Sequence, residues 1–129
     1  MPRVKQLTAW TENRPGRLAE AAAALGEKKI NILALWAGVA GDRWAIRMIV
    51  DKPQLAKKHL EQKGWEITEE DVVRVSLPDK PGSLGRAARK LEAAGINIEY
   101  GYTSRGKTAG KIDNYFALTD VAAALKALR

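Results

Sequence analysis

"NRPGRLAEAAAALGEKKINI" (residues 13–32) and "DKPGSLGRAARKLEAAGINI" (residues 79–98) align without a gap at a shift of 66 residues. Nine of the twenty positions are identical: Pro15/Pro81, Gly16/Gly82, Leu18/Leu84, Ala21/Ala87, Ala22/Ala88, Leu25/Leu91, Ile30/Ile96, Asn31/Asn97 and Ile32/Ile98. The matches fall into two groups, P-G-x-L at the start and I-N-I at the end. The chain is therefore a duplication, and each copy must be read as one structural unit of roughly 65 residues.

The flanks complete the unit. Ahead of each shared segment lies an extended stretch, "VKQLTAWT" in the first copy and "DVVRVSL" in the second, where Val73, Val75 and Leu77 share one face. Proline at the first helical position and small apolar residues at helical spacing predict an amphipathic helix. Its buried stripe is Leu18, Ala21/Ala22 and Leu25, or Leu84, Ala87/Ala88 and Leu91, with Gly26 and Gly95 as stops. "INILALWA" and "INIEYGYT" read as second strands. A turn then leads to a third strand: "AGVAGD" and "RWAIRMIV" in the first copy, "RGKTAG" and "KIDNYFAL" in the second. "KPQLAKKHLEQK" and "DVAAALKAL" are the closing helices.

Strand–helix–strand–strand–helix–strand is the ferredoxin-like pattern, so the fold class is α+β, with antiparallel sheets covered by two helices on one face. The repeats divide at 1–68 and 69–129. Only the first reaches a fourth strand, around "WEIT"; the second lacks its last strand. The flank of Val72–Leu77 where that strand would pair calls for another occupant, either the first repeat's terminal strand running on or a second subunit. In the first copy Ile30, Ile32, Ala34 and Trp36 alternate with Leu33 and Leu35, which makes both faces of the second strand apolar. The side away from the helices is then expected to be covered as well.

"GYTSRGKT" (101–108) fits the phosphate-loop pattern G-x-x-x-x-G-K-[ST]. That pattern works only between a strand and a helix, where helix amides and dipole hold the phosphate. Here Ala-Gly and an alternating strand follow, which puts Lys107 in a hairpin turn and excludes the phosphate reading.

The chain has 129 residues, no cysteine and a net charge of +7. Disulfides and thiolate metal sites are excluded. No apolar run is long enough to cross a bilayer, and a cytoplasmic location is expected. The basic excess is spread over helix faces. His59, the only histidine, sits in the charged segment "AKKHLEQK" and is expected to face solvent with no second metal ligand beside it. Glu69, Glu70 and Asp71 read as a polar junction between repeats, the four tryptophans as packing of the first copy, and Tyr100 and Tyr102 as packing on one strand face. No nucleophile–base pair, metal cluster or cofactor fingerprint appears, so no enzyme activity, metal or cofactor is expected.

The motif [DN]-x-P-G-x-L after a strand, with I-N-I some fifteen residues on, resembles the ACT domain, a small-molecule-binding regulatory module. Two copies over about residues 4–128 resemble the free-standing tandem ACT proteins. The resemblance implies an amino acid bound where such domains meet. The implied site residues are Asn13, Arg14, Gly16, Arg17, Leu18 and Asn31 in the first copy, and Asp79, Lys80, Gly82, Ser83, Leu84 and Asn97 in the second. A homodimer is expected as one way to fill the bare strand flank, and with no enzyme attached any regulated enzyme is expected to act in trans. The physical logic is that glycine admits a ligand to the backbone while free helix amides take a carboxylate. Asp79 could meet an ammonium by charge, whereas Asn13 offers only an amide oxygen. Helix capping by Asn13 and Asp79 is the competing reading. Two other functions compete with sensing: an RNA-binding ferredoxin-like module, though neither third strand carries the stacking aromatics that module needs, and a purely oligomerising ACT pair.

Overall fold

A computed structural model describes residues 3–129. The elements run β1 (Arg3–Thr11), α1 (Arg17–Glu27), β2 (Ile32–Ala40), β3 (Arg43–Val50), α2 (Pro53–Gln62), β4 (Glu66–Pro78), α3 (Ser83–Ala93), β5 (Ile98–Arg105), β6 (Lys111–Leu118) and α4 (Val121–Ala127). They form two compact units. One is Lys5–Glu70; the other is Asp71–Arg129 together with the first residues of the chain, of which Arg3 and Val4 are described.

In the first unit the strand order is β2-β3-β1-β4, with β1/β3 and β2/β3 antiparallel. Leu7, Ala9, Ile46, Met48 and Val50 face Ala21, Ala24 and Leu25 of α1 and Ala56 and Leu60 of α2. In the second unit β5 pairs with β6 and β6 with β4, again antiparallel. Val73, Val75, Phe116 and Leu118 bury against Ala87 and Leu91 of α3 and Ala124 of α4. This is the expected α+β arrangement, with no fourth strand in the second copy among the described residues.

The strand ahead of the second copy and the last strand of the first are one strand, β4. The neighbour of β4 on its free side is β1. Side chains mark the pairing: Trp10 Nε1 donates to Thr68 Oγ1 at 2.8 Å, Gln6 Nε2 to Glu70 at 2.9 Å, and Arg3 meets Asp71 at 3.6 Å. The flank expected to be filled by a terminal strand or a second subunit is thus flanked by the start of β1.

Several local expectations are corrected. The helices start at Arg17 and Ser83, with Gly16 and Gly82 as N-caps at φ of 91° and 88°. Pro15 and Pro81 therefore precede the cap and do not occupy the first helical position. Leu18 and Leu84 then fall off the buried stripe and are exposed. Gly26 lies inside α1, and the helix stops on Lys29, which takes φ of 57°. Ile30 N donates to Leu25 O and Lys29 N to Gly26 O, the same closure that Ile96 and Gly95 make on Leu91 and Glu92.

Both second strands carry a register shift at the matching place, between Ile32 and Ala34 and between Ile98 and Tyr100. The extra residue reverses the alternation, which is why Ile32 and Leu35 both pack toward the helices. The turn of the first hairpin is only Gly41–Asp42, with Gly41 at φ of 68°. On the face of the first sheet away from the helices lies a polar network. Glu70 accepts from Gln6 Nε2 (2.9 Å), Thr8 Oγ1 (2.5 Å) and, on its other oxygen, Thr68 Oγ1 (2.6 Å). Arg47 stacks at 5.3 Å on Trp10 and 5.8 Å on Trp36. Glu70 is thus more than a junction residue, because it satisfies donors of the fully buried Gln6 and Thr8.

Candidate functional site

The turn between each unit's first strand and first helix is built by the left-handed glycine. With Gly16 and Gly82 as caps no side chain caps either helix, so Asn13 and Asp79 do not play that role. The first-turn amides of α1 consequently have no acceptor among the described residues until Glu20 N reaches Gly16 O.

In the first unit these turns border an open depression of ≈ 630 Å³, lined by Asn13, Arg14, Gly16, Arg17, Leu18 and Trp44 among others. Its charges are matched internally. Arg14 Nε donates to Glu12 at 2.7 Å, which holds the Glu12 carboxyl below its ordinary range and raises Arg14. Arg17 donates to Thr11 Oγ1 at 2.6 Å and to Glu20 at 2.5 Å, with its guanidinium 3.9 Å over the Trp65 ring. Glu20 also lies 3.6 Å from the point where a Cβ on Gly16 would sit. A carboxylate over the positive end of α1 is the favourable sign.

In the second unit the corresponding turn opens on a cavity of ≈ 180 Å³ lined by Leu77, Asp79, Ser83, Leu84, Thr103 and Asn114 among others. Lys80 is shared with an adjoining cavity of ≈ 260 Å³. Asn114 is the residue that reading the sequence missed. It stands in β6 between Ile112 and Phe116, on the helix-facing side, and is 3% exposed. Its Nδ2 donates to Val75 O (3.2 Å) and Ile112 O (3.3 Å), leaving Oδ1 without a donor among the described residues. The signal was present in the sequence. An asparagine interrupts an apolar alternation at the position that, allowing for the two extra residues of the second copy's turn, is Ile46 in the first copy.

Asn31 and Asn97 do not join these turns. They lie at the far end of helices of eleven residues, about 16 Å away at ~1.5 Å per residue. Each closes a strand end: Asn31 N donates to Asp51 Oδ1 at 3.0 Å and Asn97 N to Thr119 Oγ1 at 3.3 Å. Asn97 borders a separate open depression of ≈ 400 Å³. Lys107 lies in the β5–β6 hairpin loop and opens no helix, as expected. His59 is not solvent-facing. It is 9% exposed, its Nε2 makes no hydrogen bond, and Glu27 stands 3.7 Å from it. Among the described residues no group of acidic, histidine or cysteine side chains could hold a metal, and no helix is long and apolar enough to cross a membrane.

Two units of this build, each with a glycine-capped turn and a bulged second strand, define a paired α+β domain. Residues 2–114 match the ACT domain pair, and the chain belongs to that family. Among solved structures it is similar to protein BT0572 from Bacteroides thetaiotaomicron, at 30% identity and a TM-score of 0.88, covering 98% of this chain and 86% of that one. The regulatory subunit of aspartate kinase from Thermus thermophilus, in its ligand-free form, shares the fold. It is 23% identical with a TM-score of 0.70, covering 96% of this chain and 89% of that one. Curated proteins give no match.

Proposed function

We propose that this chain is a non-catalytic regulatory protein that binds a free amino acid, with the working site in the second unit's turn, Asp79–Leu84. The observation that carries this reading is the cavity lined by both Asp79 and Asn114, whose Oδ1 accepts no hydrogen bond among the described residues. Both are acceptors, and an ammonium supplies donors and positive charge to both. The first unit's turn is occupied by its own Arg14–Glu12 and Arg17–Glu20 pairs, which disfavours it as the working site. Membership of the ACT family and the fold shared with an aspartate kinase regulatory subunit support a regulatory role.

The reading includes a cytoplasmic homodimer that acts on an enzyme in trans. Light scattering giving a monomer mass would remove the dimer.

A thermal-shift screen of the twenty amino acids at millimolar concentration tests the site, because a ligand bound only by the folded state raises the melting point. At least one amino acid should raise it, and Asp79→Asn should weaken that ligand tenfold or more while Asn13→Ala leaves it. No shift with any of the twenty would overturn the proposal.

A further inference from the structure

The two copies differ in charge at the same geometric point. Where the first copy has Glu20, the second has Arg86, and the Arg86 Nη1 reaches within 2.8 Å of the point where a Gly82 Cβ would sit. A guanidinium therefore lies over the positive end of α3, the unfavourable sign for a helix N-terminus. Lys80 and Lys90 line the same ≈ 260 Å³ cavity, together with Ser83, over an apolar floor of Leu77 and Ala87. Among the described residues none of Lys80, Arg86 and Lys90 has a carboxylate within ion-pair distance. Ser83 is 6% exposed, and its Oγ accepts a long 3.5 Å contact from Arg86. The hydroxyl proton has no acceptor among the described residues, although the side chain borders both cavities. Three unmatched cations, a helix end and a buried hydroxyl with a proton to give all ask for the same thing, an anion.

We propose that this cavity binds the anionic terminal group of a small ligand, a carboxylate or a phosphate, and that it makes the Asp79 site selective for acidic amino acids. The inference rests on the preceding functional reading. The ammonium goes to Asp79 and Asn114, and the distal anion goes to Ser83, Arg86, Lys80 and Lys90. The shared lining residues Lys80 and Ser83 join the two halves.

The test compares melting-point shifts with L-aspartate, L-glutamate and O-phospho-L-serine against L-asparagine, L-glutamine and inorganic phosphate, for the native chain, Arg86→Gln and Arg89→Gln. Arg89 loses the same charge from the same helix, but its side chain is 82% exposed and lines neither cavity. Acidic ligands should bind at least tenfold more tightly than their amides, Arg86→Gln should abolish the preference, and Arg89→Gln should keep it. Aspartate against phosphoserine then tells carboxylate from phosphate. Equal binding of acids and amides, or equal loss in both variants, overturns the anion site; if Asp79→Asn still weakens the amides, amino-acid sensing survives. A phosphate shift lost only in Arg86→Gln, with no amino acid bound, supports the anion cavity and removes amino-acid sensing instead. Arg86 is exposed and carries the unfavourable sign for the helix end, so the unliganded Arg86→Gln variant should melt at or slightly above the native chain, which separates binding from folding.

Discussion

The same backbone is packed by different means in the two units. Where β2 meets β3 in the first, Leu35 lies opposite Met48; where β5 meets β6 in the second, Gly101 lies opposite Phe116. A Cβ on Gly101 would stand 2.8 Å from Phe116 Cδ1. One pair fills the space with two medium side chains, the other with one large ring over a bare backbone. The second pair carries less side-chain volume in total and concentrates it in one ring, an exchange among apolar groups that a core tolerates when its neighbours repack. The turns show the opposite case. There the backbone is also kept, but Glu20 becomes Arg86, Arg17 becomes Ser83 and Ile46 becomes Asn114, changes that packing does not require. The first unit's turn is neutralised by its own side chains, and the second's is left with spare donors and acceptors. Packing exchanges leave the shared fold intact, whereas the charge exchanges change what each turn presents at its surface.

The sharpest way to break this comparison is to move one half of the packing exchange. Gly101→Leu should cost about 1–3 kcal/mol by overpacking, measured by urea unfolding. Adding Phe116→Met should recover most of that loss, since residues in contact couple. Equal stability of single and double variants would show that the two pairs are not equivalent solutions.

A smaller effect is expected at the helix stops. Lys29 holds a left-handed conformation that Gly95 holds in the other unit. Such a conformation costs a side-chain-bearing residue about 1–2 kcal/mol, partly offset by the greater freedom glycine has when unfolded. Lys29→Gly should therefore stabilise the first unit by roughly 0.5–1 kcal/mol, and Gly95→Lys should destabilise the second by about 1–2 kcal/mol. Chemical denaturation midpoints that move the same way in both variants would refute the equivalence.

The smallest effect is in acid. Hydrogen bonds from Arg14, Lys63 and Arg43 hold Glu12, Glu27 and Glu66 below the ordinary carboxylate range, all three in the first unit. Groups lowered on folding stabilise fully above their unfolded value, about 4.3 for glutamate, and lose that contribution as pH falls through the lower folded value. All three are solvent-exposed, so the loss is modest. The four tryptophans lie in the first unit, and their fluorescence reports it. The urea midpoint followed in this way should fall between pH 6 and pH 3, and fall less in the Glu12→Gln, Glu66→Gln double variant. An unchanged midpoint would leave these pairs without effect.

The duplication, the fold class and the positions of both turns were legible in the primary structure, because helical and strand spacings and the P-G-x-L repeat are local properties of the chain. So was the dismissal of "GYTSRGKT", which needed only the strand that follows it. Four things were not legible in those spacings. The helix starts moved two residues because a left-handed glycine, not proline, makes the cap, and this took Leu18 and Leu84 out of the core. The bulges reversed which side of β2 faces the helices, since one extra residue inverts every later side chain. His59, surrounded in sequence by lysines, is buried because the α2 face it occupies packs toward Glu27 on α1. Asn114 and Arg86 gained their meaning only when β6 and α3 brought them to the turn of Asp79. Periodicity tells which face of an element is buried; the register between elements decides which polar groups meet, and that register is set by contacts no local pattern encodes.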